Sequence, residues 1–477
     1  MRRHNRFKMI GWLPYSMTTH VPALIVGAGI SGLTCAYHLR KSGIDAQIVE
    51  AADRPGGVIR SDRRDGFLLE LGPQSFSGTP QILDLCRDLG IQNELLEAPP
   101  RAPRFLLLNG QLKPAPLSPP AFFASSLFSA KTKWSILRDA LGRSTPPYID
   151  ESVAAFTRRK FSAELLDKLV GPFVSGIYAG DPEKLSLRAA FPQLHEAERA
   201  AGSVLRGMLR AAKSTKGPKQ RPTLQTFRNG NETLIKALAA SLGPALRCGV
   251  EVTSLNHGGA GRPWGGARFV VNTKSRAGSE SIVVDHLVLA TTPNIAANLL
   301  KNAPEPIDSR LSEIEFAPIA VVSLGYARET IGNSLDGFGF LIPRSEKVRI
   351  LGTVWNSSIF PSRAPDDCVL LTSFVGGATD PDAAFLPAED IFALVHRELA
   401  AILSIRQPPS FSNVQSYERA LPQYNLGHLD RAQSPSEFGF RCTNLWLAGN
   451  YLRGPSIGAC VEEALSVAEQ IRESIRR

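Results

Sequence analysis

A chain of 477 residues exceeds what one hydrophobic core comfortably serves, so two or three domains are expected. With 43% hydrophobic and 21% charged residues, its composition excludes wholesale disorder, and no run approaches the ~18 uncharged apolar residues of a membrane-spanning helix. The formal charge of +10 leaves three readings open, an anionic membrane surface, an acidic partner or a solvated basic loop, while no groove-reading or aromatic-interleaved motif points to nucleic acid.

The first twenty residues are basic but lack a continuous apolar segment and a small-residue cleavage site, which argues against a secretory signal. Met9 and Met17 are alternative starts, and the segment is expected to be an extension outside the fold. ALIVGAGISGLTCAYHL, from Ala23, reads as strand, glycine turn and helix, and AQIVEA as a second strand. A strand is expected at FLLELG, followed by the helix PQILDLCRDLG, with Ile82, Leu83, Leu85 and Leu89 on its apolar face and a stop at Gly90. Prolines between Pro99 and Pro120 close this α/β unit, and a mostly helical stretch runs from Phe122 to about Arg221. Its end is basic: Arg199, Arg206, Arg210, Lys213, Lys216, Lys219 and Arg221 have no acid between them. GVEVTSL, FVVNT, IVVDHLVLATTP, AVVSLGYA, VRILGTVW and CVLLTSFVGG then alternate as strands, and LWLAGNYLRGPSIGACVEEAL returns to strand, glycine turn and helix. The six cysteines, at 35, 86, 248, 368, 442 and 460, form no CxxC pair, so neither a zinc site nor a disulfide framework is expected, and the expected compartment is the cytoplasm.

Gly27, Gly29 and Gly32 stand in G-x-G-x-x-G spacing between that first strand and helix. The first permits a tight turn, the second lets backbone approach a pyrophosphate, and the third lets helix and strand pack closely. The helix N-terminus adds unpaired N–H groups for the anion. Glu50, ending the second strand, suits ribose hydroxyls and favours a ribose without a 2′-phosphate. RPGG, Arg54 to Gly57, completes the pattern E-A-x-x-R-x-G-G with Glu50. In this pattern the chain resembles the amine-oxidase-like flavoproteins, which implies FAD. In that superfamily the C-terminal strand and turn return to the isoalloxazine ring, so LAGN, with Gly449, is expected beside it.

ELGPQSF, PFVSGIYAGDP, TFRNGNETL, GFGFLIPR, RAP-x₅-LLTSFVGGA, LPQYNLGHLDR and LAGNYLRGPSIGACVE narrow the match. These blocks, in this order over nearly the whole chain, are similar to those of the oxygen-dependent protoporphyrinogen oxidases, and the coproporphyrinogen III oxidases share them. The resemblance implies an α/β and α+β architecture: a discontinuous Rossmann-like FAD-binding domain (18–91, 224–302 and 434–477), a β-sheet substrate-binding domain (92–116, 201–223 and 303–433) and an inserted helical membrane-associating domain (117–200). In the insertion, Phe122, Phe123, Leu127, Phe128 and Trp134 are read either as a surface dipping into a bilayer or as a buried helix face.

Carried over residue by residue, the resemblance gives Gly27, Ala28, Gly29, Ile30, Ser31 and Gly32 to the pyrophosphate loop, and Glu50 with Ala51 to the adenosine ribose. It gives Gly56, Gly57 and Val58 to the second glycine block, although relatives often carry a bulkier residue than Val58. Gly72, Pro73, Gln74 and Ser75 fall in a flavin-proximal loop, Val252 at the adenine, and Pro455, Ser456 and Ile457 at the ring end. For substrate, Arg104 matches the arginine that pairs with a propionate. Leu341 and Val354, the latter often leucine in relatives, match aliphatic walls around a pyrrole; Phe374 matches a stacking aromatic and Gly176 a backbone contact. The implied reaction removes six hydrogens from a porphyrinogen in three FAD cycles and passes the electrons to dioxygen as hydrogen peroxide. The implied partners are the porphyrinogen, dioxygen, a peripheral membrane contact and a downstream tetrapyrrole-using enzyme.

No acid/base constellation or metal-ligand set stands out, and His195, His257, His286, His396 and His428 are isolated from recognisable partners. An amine oxidase, a carotenoid-type desaturase and a non-catalytic flavin-bearing scaffold remain as alternatives.

Overall fold

The computed structural model describes residues 19–214, 223–257, 269–301, 307–433 and 444–476. Lys216, Lys219, Arg221, Cys442, Met9 and Met17 lie outside the described residues.

Two seven-stranded sheets organise the chain. In the first, Thr19–Val26 runs parallel to Ala46–Glu50 on one side and to Gly278–Leu289 on the other. The short strand Leu445–Leu447 joins in parallel against Leu287 to Leu289, so the last strand lies one strand away from the first. Ala23, Leu24 and Ile25 are fully buried, as expected where helices or loops cover both faces of a parallel sheet. Helix Ile30–Lys41 and the last helix, Ile457–Arg476, contribute Leu33, Ala36 and Leu39, and Val461, Ala464 and Val467, to one apolar cluster on this sheet. The two ends of the chain therefore share a core.

The second sheet has the order Phe411–Pro422, Phe316–Ala327, Cys368–Gly376, Ile350–Trp355, Gly339–Leu341, Arg104–Leu108 and Gln111–Pro114. Its two faces are occupied differently. Leu107, Phe340, Trp355, Leu371 and Val375 point to one side and are buried with Leu394, Val395 and Leu399 of helix Ala388–Leu403. Leu341, Val354 and Phe374 point to the other side and are only half-buried. Period-2 alternation thus leaves an apolar face open.

A hairpin joins the sheets. Its strand Phe67–Glu70 stacks Phe67 on Phe411 of the second sheet, ring centroids 4.9 Å apart. At its end the Glu70 carboxylate meets Arg363 at 2.9 Å, and both residues are almost fully buried. Glu70 also accepts from Ser61 Oγ at 2.6 Å and from the Asn231 N–H at 3.0 Å. Arg363 donates to Thr226 Oγ1 and accepts, through its carbonyl, from the Leu68 N–H.

The helical layer spans Pro119–Ala124 to Val204–Ser214. Serines 118, 129, 152, 162 and 186 accept from the N–H three residues on, so five of its helices begin on side-chain caps. Lys160 pairs with Asp139 at 2.6 Å, and Arg159 forks onto Glu198 at 2.9 Å, tying three helices together through buried carboxylates. Of the aromatic stretch read two ways from sequence, Phe122 and Phe128 stack at 4.6 Å and are buried with Leu165, with Phe123 and Leu127 packed against them. These four form a small core rather than a bilayer surface. Trp134 alone is exposed, at 61%, in line with exposed Leu137, Arg138 and Leu141. Arg206, from the basic run, is spent on the carbonyls of Ala140, Gly142 and Ala201.

Replacing Arg363 with Met should leave Glu70 buried without a cation, costing about 3–5 kcal/mol in denaturant titrations, more than any exposed arginine. Burial opposes the Glu198 charge, yet the Arg159 and Ser144 hydrogen bonds and the Lys160 charge hold its carboxyl at about 2. A depressed carboxylate stabilises the fold above its unfolded value, and that contribution disappears as pH falls through the folded one. Stability measured by thermal unfolding should therefore drop between about pH 4.5 and 2 and drop less in Glu198→Gln.

Candidate active site

The strands Thr19–Val26 and Leu445–Leu447 both run parallel to Gly278–Leu289, so their C-terminal ends open at the same edge of the sheet. In open α/β sheets that edge is where ligands bind. The glycine turns after the two strands flank the same piece of chain. A Cβ on Gly27 would lie 2.6 Å from the Ala290 carbonyl oxygen, and one on Gly449 would lie 3.7 Å from that of Thr291. Gly32 closes helix onto strand, its would-be Cβ falling 1.9 Å from the Gly27 carbonyl oxygen.

Around this edge the remaining loops close in. The Gly56 N–H donates to the Ala28 carbonyl at 2.8 Å, and Gly57 packs against the Gly29 backbone. Glu50 accepts from the Ala28 N–H at 2.7 Å and from the Ala52 N–H at 2.9 Å, which fixes its carboxylate at the end of its strand. Ala51 is exposed beside it, and the Gly249 N–H donates to the Ala52 carbonyl, bringing half-buried Val252 to the same end. Gly72 backs onto the Val58 carbonyl, and Val58 is 40% exposed. Gln74 donates to the carbonyls of Glu70 and Gly72 and accepts from Asn356 Nδ2 at 2.8 Å, and Pro73 accepts from Asn231 Nδ2 at 2.8 Å, with Ser75 half-buried next in line. Pro455 and Ser456 lead into the last helix, Ser456 Oγ accepting from the Ala459 N–H, and Ile457 is buried in the cluster that holds Ala28 and Ile30. Ser31 is buried on the first turn of its own helix.

This cradle fits a dinucleotide. Nothing lies within 4 Å of where a Gly29 Cβ would stand, and a Gly57 Cβ would meet only the Gly29 Cα. The helix from Ile30 has no side-chain cap among the described residues, which leaves its first N–H groups available to an anion.

The substrate-side residues come together through strand register. Arg104 pairs with Gly339, Gly339 with Val354, and Val354 with Thr372. The neighbouring row is Leu106, Leu341, Gly352 and Phe374. Directly paired residues share a face, so Arg104, Leu341, Val354 and Phe374 all lie on the open side of the second sheet. Helix Gly171–Tyr178 stands over them: a Cβ on Gly176 would lie 2.7 Å from Leu341 Cδ2. Phe173 and Ile177 flank Gly176 at helical spacing and are 45% and 40% exposed, giving this wall two apolar residues that sequence analysis did not single out. A π-helical turn, Leu166–Val170, precedes this helix and shifts its phase. The Arg104 guanidinium sits 5.1 Å from the Phe338 ring centroid, burial draws its pKa below the ordinary value, and no described carboxylate pairs with it. This face is therefore apolar, with a cation at its edge that no described carboxylate pairs.

Three of the histidines singled out from sequence are accounted for by a partner or by burial. His396 Nδ1 meets the Tyr326 hydroxyl at 3.1 Å, His428 meets the Tyr451 carbonyl, and burial pulls His286 below its ordinary range. His257 has no described side chain.

A mixed sheet whose parallel strands end at a cradle fit for a dinucleotide, beside a second sheet with a half-buried apolar face, is the build of a flavin-dependent oxidoreductase. The flavin containing amine oxidoreductase model matches residues 30–472. The chain is 34% identical to the chloroplastic protoporphyrinogen oxidase of Nicotiana tabacum, over 95% of this chain and 86% of that one. It is 27% identical to the coproporphyrinogen III oxidase of Bacillus subtilis, over 92% and 95%. The crystal structure of a protein assigned as a protoporphyrinogen oxidase from Exiguobacterium superposes with a TM-score of 0.79 at 25% identity, covering 96% of this chain and 100% of that one. The chain belongs to the flavin containing amine oxidoreductase family, and within it to the group of protoporphyrinogen and coproporphyrinogen oxidases.

Gly29→Val should test the cradle cleanly. Its Cβ enters open space at an unstrained φ of −69°, so the variant should fold with native thermal stability while its FAD content, read from absorbance, falls roughly tenfold or more.

Proposed function

We propose that this protein converts protoporphyrinogen IX to protoporphyrin IX as an oxygen-dependent flavoprotein oxidase, with oxidation of coproporphyrinogen III to coproporphyrin III as the alternative. The observation that carries the reading is the sheet face on which Arg104, Leu341, Val354 and Phe374 converge beneath Gly176. The higher identity to a protoporphyrinogen oxidase, 34% against 27%, favours the first substrate.

Arg104 anchors a propionate, since a guanidinium fork matches a carboxylate and no described carboxylate competes for this one. Leu341 and Val354 clasp one pyrrole, Phe374 stacks on another, and the missing side chain at Gly176 lets the macrocycle reach the helix backbone. Bound FAD supplies two-electron oxidation and is restored by dioxygen with release of hydrogen peroxide, so six hydrogens require three turnovers. The protein's share is to hold the ring system and exclude water from an apolar slot. Gly27, Ala28, Gly29, Ile30, Ser31 and Gly32 serve the pyrophosphate. Glu50, Ala51 and Val252 serve the adenosine. Gly56, Gly57, Val58, Gly72, Pro73, Gln74, Ser75, Pro455, Ser456 and Ile457 serve the flavin half.

The three-part division at the boundaries stated above goes with this reading. So does a cytoplasmic protein resting peripherally on the membrane's inner face, where it would pass product to a tetrapyrrole-using enzyme. No described helix is long and apolar enough to cross a membrane. The exposed stripe of Trp134, Leu137 and Leu141 beside Lys131 and Arg138 is the surface suited to such contact.

Each porphyrinogen, prepared without oxygen and mixed with enzyme in air, should develop porphyrin fluorescence and peroxide against a flavin-free control, the protoporphyrinogen faster. Faster coproporphyrin formation would reverse the substrate choice, and silence with both would end the reading. Arg104→Ala should raise KM about 10- to 100-fold, the loss of one charge-assisted contact, with FAD content unchanged.

A further inference from the structure

The turn after Leu445–Leu447 is gripped from outside the dinucleotide sheet. The Tyr424 hydroxyl donates to the Asn450 carbonyl at 2.6 Å, and His428 Nε2 lies 2.8 Å from the Tyr451 carbonyl. A carbonyl only accepts, so the His428 proton sits on Nε2. Burial holds this imidazole at about 4, so it is a neutral donor at physiological pH. The two rings stack with centroids 4.1 Å apart, and both residues are 1% exposed.

The described backbone has no cis peptide, and in a trans peptide the N–H points opposite to the C=O. With the Asn450 carbonyl turned to Tyr424, the Tyr451 N–H is turned away from it. That N–H has no hydrogen-bond partner among the described residues, whereas the next one, of Leu452, closes the turn onto the Gly449 carbonyl at 3.3 Å. A donor without a described partner is therefore held in a fixed direction just past the strand end, on a residue that is itself buried.

We propose that Tyr424 and His428 are positioning residues for the redox end of FAD: by occupying the Asn450 and Tyr451 carbonyls they preorganise the Tyr451 N–H as a donor to the polar edge of the flavin ring. The inference rests on the flavin site described above. A fixed donor at the edge where reduced flavin accumulates negative charge favours the reduced form, and it does so without reorganising. Tyr424 reaches the substrate wall as well. Its ring packs edge-on against Tyr178 at 5.5 Å, its carbonyl accepts from the Ser186 N–H at 2.8 Å, and Tyr178 lies two residues beyond Gly176 on the same helix. One tyrosine thus keeps the helix over the slot in register with the turn beside the flavin.

The test is the flavin midpoint potential and absorption spectrum of the purified, FAD-loaded full chain, compared among wild type, Tyr424→Phe, His428→Ala and His428→Gln. Tyr424→Phe keeps the stacked ring and removes only the donated bond. His428→Gln keeps an N–H donor. Tyr424→Phe and His428→Ala should each lose about tenfold of the preference for reduced over oxidised flavin, about 30 mV in a two-electron couple, with a displaced visible band. His428→Gln should recover most of both. If His428→Ala does not fold, Tyr424→Phe decides. A wild-type potential and spectrum in folded, flavin-loaded Tyr424→Phe overturns the proposal. These readouts need no porphyrinogen, so wild-type enzyme that oxidises neither porphyrinogen yet shows the potential shifts would refute the substrate reading alone.

Discussion

The Glu70–Arg363 pair is the junction on which both halves of the site depend. It is sealed from solvent, and each partner is satisfied by further groups: Ser61 and the Asn231 backbone on the carboxylate, Thr226 on the guanidinium. Through these contacts one interaction fixes the hairpin ending at Glu70, the turn at Asn231 and the segment leading to the strand Cys368–Gly376. The first of these runs on into Gly72–Ser75 in the cofactor cradle, and the last carries Phe374 in the slot. A buried pair of this kind contributes little beyond what apolar residues could supply, but removing either partner leaves the other's charge buried and uncompensated. It fixes how the Gly72–Ser75 loop sits relative to the strand that carries Phe374.

Within that frame the dinucleotide sheet solves a problem of length. One glycine turn grips only one part of an extended cofactor, and a second turn at the same edge can grip another. The chain obtains that second turn by threading its last strand beside Gly278–Leu289, which lines up Gly27 and Gly449 on either side of Ala290 and Thr291. The shared core of the first and last helices is what holds the arrangement closed.

Most strands and the glycine cradle could be read directly, because turns that need positive φ or close backbone approach select glycine locally: Gly27, Gly56 and Gly57 have φ of 103°, 106° and 57°. The residues proposed for the substrate come from resemblance rather than pattern, since Leu341, Val354 and Phe374 alternate just as core residues do. The aromatic stretch after Pro119 shows the same limit. Phe122 and Phe128 have the spacing of a surface or of a core, and only the neighbouring Leu165, far away in sequence, makes it a core. Phe173 and Ile177 went unnoticed because nothing local separates an apolar residue covered by a neighbour from one left facing a cleft.

What the sequence determined by itself is the local backbone: where strands end, where glycine turns approach an anion, and where a helix stops on glycine. These are short-range properties, governed by sterics and hydrogen bonds within a few residues. The tertiary structure decided which side of the second sheet stays open and which arginine is spent inside, Arg363, or left free, Arg104. It also decided that Tyr424 and His428 take hold of a turn more than twenty residues away. Those outcomes depend on which surfaces meet, and burial and electrostatic pairing are properties of that meeting rather than of any stretch of chain.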